Sequence, residues 1–541
     1  MIIDHIIAMF PPEVRESDAA RAVKALVNTL FEQLELTKIQ LQATQEQLTK
    51  ANERIKVLED EIAKLRKTPK RPKFSPNNMQ PRNRSGSQKS DLMSPPDSPS
   101  CAKKEASEIK IAVLNVPEGS RFKGYQAFEV QDISIIAKQI TYKLEVWQTP
   151  TGEVLRAKIP EELQGQHFGP VLRAIAASFY AHGMTQPAIH ELLKGLGIDW
   201  SSGQVNNILL NEAEKLSIVS EEILTAGLTE ASFIRADDTG EKHQHKAGYC
   251  THIGGQYFAY YTTSFSKSRE NFLRIIRQGK EGYHINDAMI WHLFQCGVED
   301  DTLNLFEEYK GKTYRSKKGI NRLLASLGIG AKKLRKQCME AALVGFISQE
   351  ILRTGQVFLS DRAGQFALFN HAACWVHMER PLRKIFCTSK KIEQELKEVR
   401  NAIWILYKTL QKSALSEEDR EAVFHLYDEL VEMKTSSPEI NSVIANFATH
   451  RDEMLKALDY PELPLHNNDS ERDIRPVAKR RNISGSTKSD LGRKFRDGLM
   501  TVKQTCFRVG YNFWNYLLLW QMGNPPDLAE LVRNRYQTSR A

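Results

Sequence analysis

The chain has 541 residues, of which 41% are hydrophobic, and a formal net charge of +9. This length predicts about three or four structural units at roughly 100–200 residues each, with enough apolar residues for buried cores. No apolar run approaches the ~18–20 residues that span a bilayer, and the seven cysteines are scattered singly, which argues against a disulfide framework. The basic excess indicates a polyanionic partner rather than a membrane, and the N-terminal residues lack the basic start of a signal peptide, so we expect a cytoplasmic protein.

Residues 1–66 are predicted to form a coiled-coil oligomerisation segment. Apolar residues recur every seven positions, at Leu34, Leu41, Leu48, Ile55 and Ile62. A heptad repeat sustained over about five heptads favours association between helices. The intervening positions are weaker, which leaves a single amphipathic helix as the alternative. We expect a homo-oligomer, with the number of chains left open.

Residues 67–108 are predicted to be a basic, disordered linker, because Pro, Ser, Asn and Lys dominate there. The stretch from Arg66 to Lys89 holds eight basic residues and no acidic one. Such an arm can contact phosphates through the release of counterions. The alternative is a linker that only keeps the chain in solution.

Two smaller units are predicted next. Residues 109–165 have short apolar runs and a turn signal at Thr149–Gly152, which indicates a small β module. Residues 166–229 are helical in period, and a glycine-containing turn near Gly195–Gly197 precedes a helix that Ser201 can cap. This pattern is compatible with a helix-turn-helix DNA-binding region and equally with an ordinary helical hairpin.

Between residues 230 and 515, acidic residues follow two predicted strands and lie in the first turn of one predicted helix. A short apolar strand runs into Asp237, and two further strands with a turn at Gly254-Gly255 precede a helix that begins near Ser268. Three strands and a helix in this order open an RNase H-like domain. A second strand ends at Asp361. Asn468 or Asp469 can cap a short helix that holds Glu471 in its first turn and is limited or kinked by Pro476.

These motifs resemble the transposases of the insertion-sequence 66 family. The family's Asp-Glu-Thr at the first strand resembles Asp237-Asp238-Thr239. Its Ser/Thr-Asp strand and Cys-Trp-x-His-x-x-Arg stretch match Ser360-Asp361 and Cys374, Trp375, His377 and Arg380. Its Asn-Asn-x-x-Glu-Arg-x-x-Arg-Pro motif matches Asn467, Asn468, Glu471, Arg472, Arg475 and Pro476. Members often carry a cysteine-rich zinc element after the coiled coil, but residues 109–168 contain no cysteine, so no zinc site is carried over.

The resemblance implies an α/β, RNase H-like catalytic domain at residues 230–515, with helical insertions at about 281–350 and 389–460 and a C-terminal tail at 516–541. It implies that Asp237, Asp361 and Glu471 are the catalytic residues. These carboxylates would also bind two Mg²⁺ ions, with Mn²⁺ as a substitute, since Mg²⁺ prefers hard oxygen ligands. Asp287 is a rival for the second acid, although helix capping explains it.

The expected partner is DNA, both the transposon ends and the target. Residues 472–503 contain ten Lys or Arg and three Asp or Glu, so a DNA path is expected there. The predicted DNA-binding residues are Arg472, Arg475, Lys479, Arg480, Arg481, Lys488, Arg493 and Lys494. Cys374 and His377 are interpreted as packing residues, because two ligands do not make a zinc site.

The leading hypothesis is therefore a DNA transposase that cleaves transposon ends and transfers strands into a target with metal ions. Accessory transposition proteins are possible partners. The alternatives are a related nuclease, and a catalytically inactive DNA-binding or coiled-coil scaffold protein derived from a transposase. A glycosidase with paired acids is disfavoured, because it would not need basic flanks.

Overall fold

The computed structural model describes residues 135–412 and 415–540, together with a few isolated positions before residue 135. The predicted coiled coil, apart from Gln33, and the predicted basic linker lie outside the described residues, as does most of the first half of the predicted β module. Within the described part, no helix is long and apolar enough to cross a membrane.

A hairpin and four helices precede the central sheet. Strands β1 (Val146–Gln148) and β2 (Val154–Arg156) pair antiparallel around a turn in which Gly152 donates to the Thr149 carbonyl. The helices are α1 (Pro170–Ala181), α2 (Gln186–Gly195), α3 (Ser202–Leu210) and α4 (Ala213–Glu230). Ser201 and Gln204 form a capping box at the start of α3, as the sequence predicts. The helix-turn-helix role stays a prediction.

The centre of the fold is a five-stranded mixed sheet. Its strands are β3 (Phe233–His243), β4 (Lys246–Gly254), β5 (Ala259–Ser264), β8 (Val357–Ser360) and β9 (Asn370–Ala373), in the spatial order β5-β4-β3-β8-β9. The first three strands are antiparallel neighbours, and β8 and β9 run parallel to β3. The four residues of β8 are all buried, as in a strand covered on both faces. The mixed α/β class is confirmed.

The first predicted helical insertion lies between β5 and β8. Helix α5 (Arg269–Arg277) is capped by Ser268, as predicted. It is followed by β6 (Tyr283–His284), α6 (Asp287–Gln295), α7 (Asp300–Asn304), β7 (Thr313–Tyr314), α8 (Lys317–Ser326) and α9 (Lys332–Glu350). Strands β6 and β7 pair antiparallel. The apolar sides of α8 and α9 join the main core through residues such as Leu324 and Val344.

The second predicted helical insertion has its own core. It follows α10 (Trp375–Glu379) and contains α11 (Lys390–Leu410), α12 (Glu417–Glu432), α13 (Pro438–Thr449) and α14 (Arg451–Met454). Trp375, Tyr407, Tyr427 and Phe447 pack edge to face at its centre, and the buried cluster around them is separate from the main core.

The chain ends in four helices, α15 (Asn468–Ser484), α16 (Asp490–Val509), α17 (Phe513–Gln521) and α18 (Leu528–Arg540). Helix α16 approaches α4 closely at Gly498, where a Cβ would come within 2.8 Å of the Leu216 Cβ. The predicted C-terminal tail instead contains the packed helix α18, in which Val532 and Tyr536 are buried. Short 3-10 helices are formed by Glu161–Leu163, Glu307–Tyr309, Arg380–Lys384 and Lys456–Leu458.

The expectation of a short helix capped by Asn468 or Asp469 is wrong. Helix α15 has 17 residues and continues through Pro476, and Asn467, not Asn468 or Asp469, is at its N-cap, without a side-chain capping bond. Proline removes the hydrogen bond that the carbonyl four residues earlier would accept. Both Pro476 and Arg472 are exposed, so water can satisfy that carbonyl and the helix tolerates the proline.

Candidate active site

The first two predicted acids belong to adjacent parallel strands, Asp237 within β3 and Asp361 directly after β8. Strand β3 pairs with β8 in the register Phe233–Val357, Ile234–Phe358 and Arg235–Leu359. Continuing that register by two residues sets Asp237 opposite Asp361. Neighbouring strands are about 4.8 Å apart, so the two carboxylates are close. Each caps its own chain locally: Asp237 accepts from the Asp238 amide at 2.8 Å and Asp361 from the Ala363 amide at 2.9 Å.

The rival acid Asp287 has a different environment. It is the first residue of α6, behind the Asn286 cap, its side chain is 93% exposed, and it pairs with Lys310 at 3.0 Å. No strand of the central sheet carries it. This placement favours Asp361 as the partner of Asp237, in line with the capping interpretation of Asp287.

The third acid, Glu471, lies in the first turn of α15. The start of this helix is tied to β3 by two contacts: Arg235 forms an ion pair with Asp469, and the Asn467 amide donates to the Ala236 carbonyl at 3.0 Å. Arg235 is two residues before Asp237, and Asp469 is two residues before Glu471. These contacts therefore hold the helix that carries Glu471 against the strand that carries Asp237.

The pKa of Asp237 depends on burial and on three neighbouring acids. Burial, followed by the negative charges of Asp361, Asp238 and Glu471, raises the pKa of Asp237 to about 7. The neighbouring Asp238 also has a raised pKa, chiefly because of burial, although the amide of Gln365 donates to it at 2.6 Å. Asp237 makes no ion pair with a described residue. Asp237 and Asp238 thus bring together two partly buried carboxyl groups that no ion pair with a described residue compensates.

Glu471 has two cationic or polar partners that the sequence analysis did not assign to the site. Its Oε1 lies 2.9 Å from an Arg380 Nη and 3.2 Å from His377 Nε2. Burial, then the charge of Arg380, lowers the pKa of His377. The signal was available, because the spacing of three residues between His377 and Arg380 places both on one helical face. Cys374, by contrast, is buried, and its Sγ accepts from the Asn467 backbone N–H.

The donor set fits a divalent cation by its chemistry, since it offers hard carboxylate oxygens in a partly buried, negatively charged site. Its geometry is incomplete: within residues 135–412 and 415–540, no group of three or more His, Cys, Asp or Glu side chains is arranged so that it could hold a metal ion. The partners of Glu471 explain this, because that carboxylate is engaged by Arg380 and His377. Metal binding by all three acids requires Glu471 to exchange these partners.

The predicted DNA-binding residues divide into two groups. Arg472, Arg475, Lys479 and Lys488 are exposed, although Arg472 also forms an ion pair with Asp469. The other four have partners within the fold: Arg480 stacks on Tyr180 and donates to its carbonyl, Arg481 donates to the Gly240 carbonyl, Arg493 to the Thr263 carbonyl, and Lys494 pairs with Glu214. Arg472 and Arg475 line an open cavity of about 380 Å³ together with Glu471.

The charge of Asp237 leads to a prediction for the metal-free protein. Replacing Asp237 with Asn is expected to raise the free energy of unfolding in EDTA above pH 7 by about 2–4 kcal/mol, because the shift from 3.8 to about 7 opposes the ionised form. The folded protein binds a proton between these values that the unfolded chain has released. The stability of the wild type therefore falls as pH rises from about 4 to 7, and the variant lacks this loss.

Urea unfolding of both proteins from pH 4 to 8 measures the difference, which should vanish near pH 4. An equal free energy of unfolding for both proteins at pH 8 would contradict the assignment of Asp237 as a buried, repelled carboxylate.

A cluster of acids beside an exposed basic cavity defines a protein that processes nucleic acid, and the comparisons with known proteins agree with this class. Residues 361–494 match the sequence profile described as Transposase IS66 family. The chain is also 32% identical, over 303 residues, to the uncharacterized protein y4jO of Sinorhizobium fredii (strain NBRC 101917 / NGR234). The aligned region covers 54% of this chain and 93% of that relative. The chain belongs to the IS66 transposase family. The matched profile includes Asp361 and Glu471 and begins after Asp237.

Proposed function

We propose that the chain is a DDE-type DNA transposase that cleaves DNA at transposon ends and joins the freed end to target DNA. The observation that carries this proposal is the register between β3 and β8, which sets Asp237 opposite Asp361. Glu471 is close enough for its negative charge to raise the pKa of Asp237. The strand order β5-β4-β3-β8-β9, antiparallel in its first half and parallel in its second, supports an RNase H-like catalytic domain at residues 230–515.

The proposed chemistry uses the acids to hold Mg²⁺. When bound, two such ions activate the attacking oxygen and stabilise charge on the leaving oxygen. Asp237 and Asp361 would hold them, and Glu471 would join after it leaves Arg380 and His377. In cleavage, the oxygen of water attacks phosphorus and the bond to the 3′-oxygen breaks. The freed 3′-hydroxyl then attacks a target phosphate, whose own bond to a 3′-oxygen breaks.

The remaining parts of the chain complete the proposal. Arg472 and Arg475 would contact phosphates in the cavity beside Glu471, because guanidinium groups match phosphate geometry. The coiled coil at residues 1–66 would pair two protomers on two DNA ends. The basic linker and the helical region at residues 166–229 would add DNA contacts outside the catalytic domain.

The test compares the two rivals for the second acid. Replacing Asp361 with Asn is expected to lower Mg²⁺-dependent cleavage of transposon-end DNA by about 10²-fold or more, since a group that stabilises developing charge contributes on this scale. Asp287→Asn is the matched control, because Asp287 is an exposed acid that pairs only with a lysine. The control should cleave within about twofold of wild type, which is the range of an exposed ion pair worth less than ~1 kcal/mol.

Cleavage is measured with labelled duplexes that carry the ends of the element, in Mg²⁺ and in Mn²⁺. Equal activity of Asp361→Asn and wild type would contradict the site. DNA binding without cleavage in either metal by the wild type would instead favour the catalytically inactive DNA-binding or scaffold protein.

A further inference from the structure

The first helical insertion contains a stretch of chain with only positive charge. Between Lys310 and Met339 there are ten Lys or Arg residues and no Asp or Glu. Sequence analysis treated this region only as an insertion. Six of the ten residues belong to the starts of two adjacent helices, and we call them the insertion basic surface: Lys317, Lys318 and Arg322 of α8, and Lys332, Lys333 and Lys336 of α9.

The fold directs these six side chains to solvent. Helix α8 buries Ile320, Leu323 and Leu324 against the core and leaves Lys317, Lys318 and Arg322 exposed. The start of α9 is fastened to α8 by Arg335, which donates to the Asn321 side chain at 2.8 Å and to its carbonyl at 3.0 Å. Lys332, Lys333 and Lys336 are also exposed. The two groups of three therefore lie on neighbouring helix ends that are linked by hydrogen bonds.

The charges on this surface are not balanced within the fold. In the part of the chain that the structure describes, none of the six side chains forms an ion pair. By contrast, Lys310 at the edge of the same stretch pairs with both Asp287 and Glu307. Six neighbouring cations without counter-charges repel one another, and this repulsion reduces the stability of the folded protein. Binding of a polyanion to this surface would neutralise the charges and relieve the repulsion.

The helix ends give a second, independent indication. The first turns of α8 and α9 contain no acidic residue, and each holds a pair of lysines. The N-terminus of a helix already carries about half a positive charge, so acids are stabilising there and lysines are not. Both helices begin against this preference, with exposed lysines beside the free backbone amides of their first turns. This is the arrangement that binds phosphate.

The insertion basic surface is connected to the proposed active site. Glu340 of α9 pairs with Arg269 at 2.8 Å, and the Nε of Arg269 donates to the Gly364 carbonyl at 3.0 Å. Gly364 follows Asp361 by three residues. Lys336 and Lys332 precede Glu340 by about 6 and 12 Å along the helix axis, which is the length of about two to four base-pair steps at 3.4 Å.

We infer that the insertion basic surface binds the phosphate backbone of duplex DNA that extends from the active site, without reading its sequence. Lysine and arginine contacts to phosphate position DNA and carry no direct sequence information. The inference rests on the proposed function, since it takes DNA as the substrate. The insertion basic surface is linked to the loop after Asp361, and this link favours DNA over an anionic membrane. DNA is the proposed substrate of the acids, whereas a membrane is not.

The test neutralises the surface in the full-length chain by replacing all six residues with Gln. Binding to a duplex of about 40 base pairs of arbitrary sequence is measured in EDTA over a range of salt concentrations. We expect the affinity at about 150 mM salt to fall roughly 10- to 100-fold and the slope of log K against log salt to decrease by about 3–5, because each lost phosphate contact removes about 0.9 from the slope.

A matched control removes six exposed lysines from the second helical insertion, where acids are interspersed. The control residues are Lys390, Lys391, Lys397, Lys408, Lys412 and Lys434. For this variant, the slope of log K against log salt should stay within about 0.9 of the wild-type slope, which is the contribution of one phosphate contact. Two half variants, one for α8 and one for α9, should each give about half the effect. Circular dichroism and thermal unfolding check that every variant is folded.

The outcomes separate this inference from the proposed function, because binding in EDTA needs no cleavage. An unchanged DNA affinity and salt slope in the six-residue variant would overturn the inference while leaving cleavage by the wild type intact. Loss of binding to phosphatidylserine vesicles with unchanged DNA binding would also overturn it, in favour of a membrane surface. If the slope changes but the wild type does not cleave DNA, the inference stands and the proposed function fails.

Discussion

Replacing Asp237 with Asn is expected to abolish Mg²⁺-dependent cleavage of transposon-end DNA, with a loss of about 10²–10³-fold or more. Asn has nearly the shape of Asp, so the packing of β3 should remain. The substitution removes the charge at the centre of the cluster, where Asp361, Asp238 and Glu471 all act on Asp237. A neutral amide cannot replace a carboxylate that holds metal ions and offsets their charge.

Single-turnover cleavage with end-labelled duplexes measures this effect, and duplex binding in EDTA should remain near that of wild type. Asp238→Asn is the matched control, since Asp238 is the adjacent acid and already accepts a hydrogen bond from Gln365. We expect a smaller loss for this control. Cleavage by Asp237→Asn within about tenfold of wild type would contradict the central position of Asp237.

The same Asp237→Asn variant should be more stable than wild type without metal and less active with it. Both effects have one cause, because like charges that are gathered to bind cations repel one another when no cation is present. A protein in which the substitution lowered both stability and activity would indicate a structural role for Asp237.

Replacing Arg496 with Met is expected to lower the free energy of unfolding by about 3–5 kcal/mol, the usual cost of breaking a buried ion pair by removing one partner. Arg496 lies on α16 with only 4% of its side chain exposed, 3.3 Å from Glu241 and 2.9 Å from Asp497. Glu241 belongs to β3, and Asp497 accepts from the Thr263 amide of β5 at 2.8 Å. Removing the guanidinium leaves two buried carboxylates without their shared cation.

Urea unfolding measures the loss, with an unchanged dependence on urea as the sign that both proteins unfold to similar states. Lys494→Met is the matched control, because Lys494 is on the same helix and pairs with the exposed Glu214. Exposed pairs contribute about 0–1 kcal/mol. A loss for Arg496→Met no larger than that of the control would show that the buried cluster does not stabilise the sheet against α16.

The sequence alone identified the elements whose signals are local. Ser268 and Ser201 cap helices at the positions that capping rules predict, and the strands that run into Asp237 and Asp361 were recognised from short apolar runs bounded by turn residues. Each of these features depends on neighbours within about one helical turn, so the sequence contains the necessary information. The choice of the three acids followed instead from motifs that resemble those of a known family, and their catalytic role stays a prediction.

The sequence was misleading where distant contacts outweigh local preference. Pro476 predicts a helix end, but α15 continues through it at a position where Pro476 and Arg472 are both exposed. Arg480 was assigned to DNA, but its guanidinium stacks on Tyr180 and its pKa is lowered by burial. Charge counts cannot distinguish a basic residue that faces solvent from one that serves a neighbouring carbonyl.

Only the tertiary structure decided how these parts meet. The sequence favoured Asp361 over Asp287 through motifs and helix capping, whereas the register of two strands more than a hundred residues apart sets Asp361 opposite Asp237. The engagement of Glu471 by Arg380 and His377 and the contact of Arg335 with Asn321 both join separate elements of the fold. Local propensities select helices, strands and caps, whereas the partners of a charged side chain are set by packing between segments far apart in the chain.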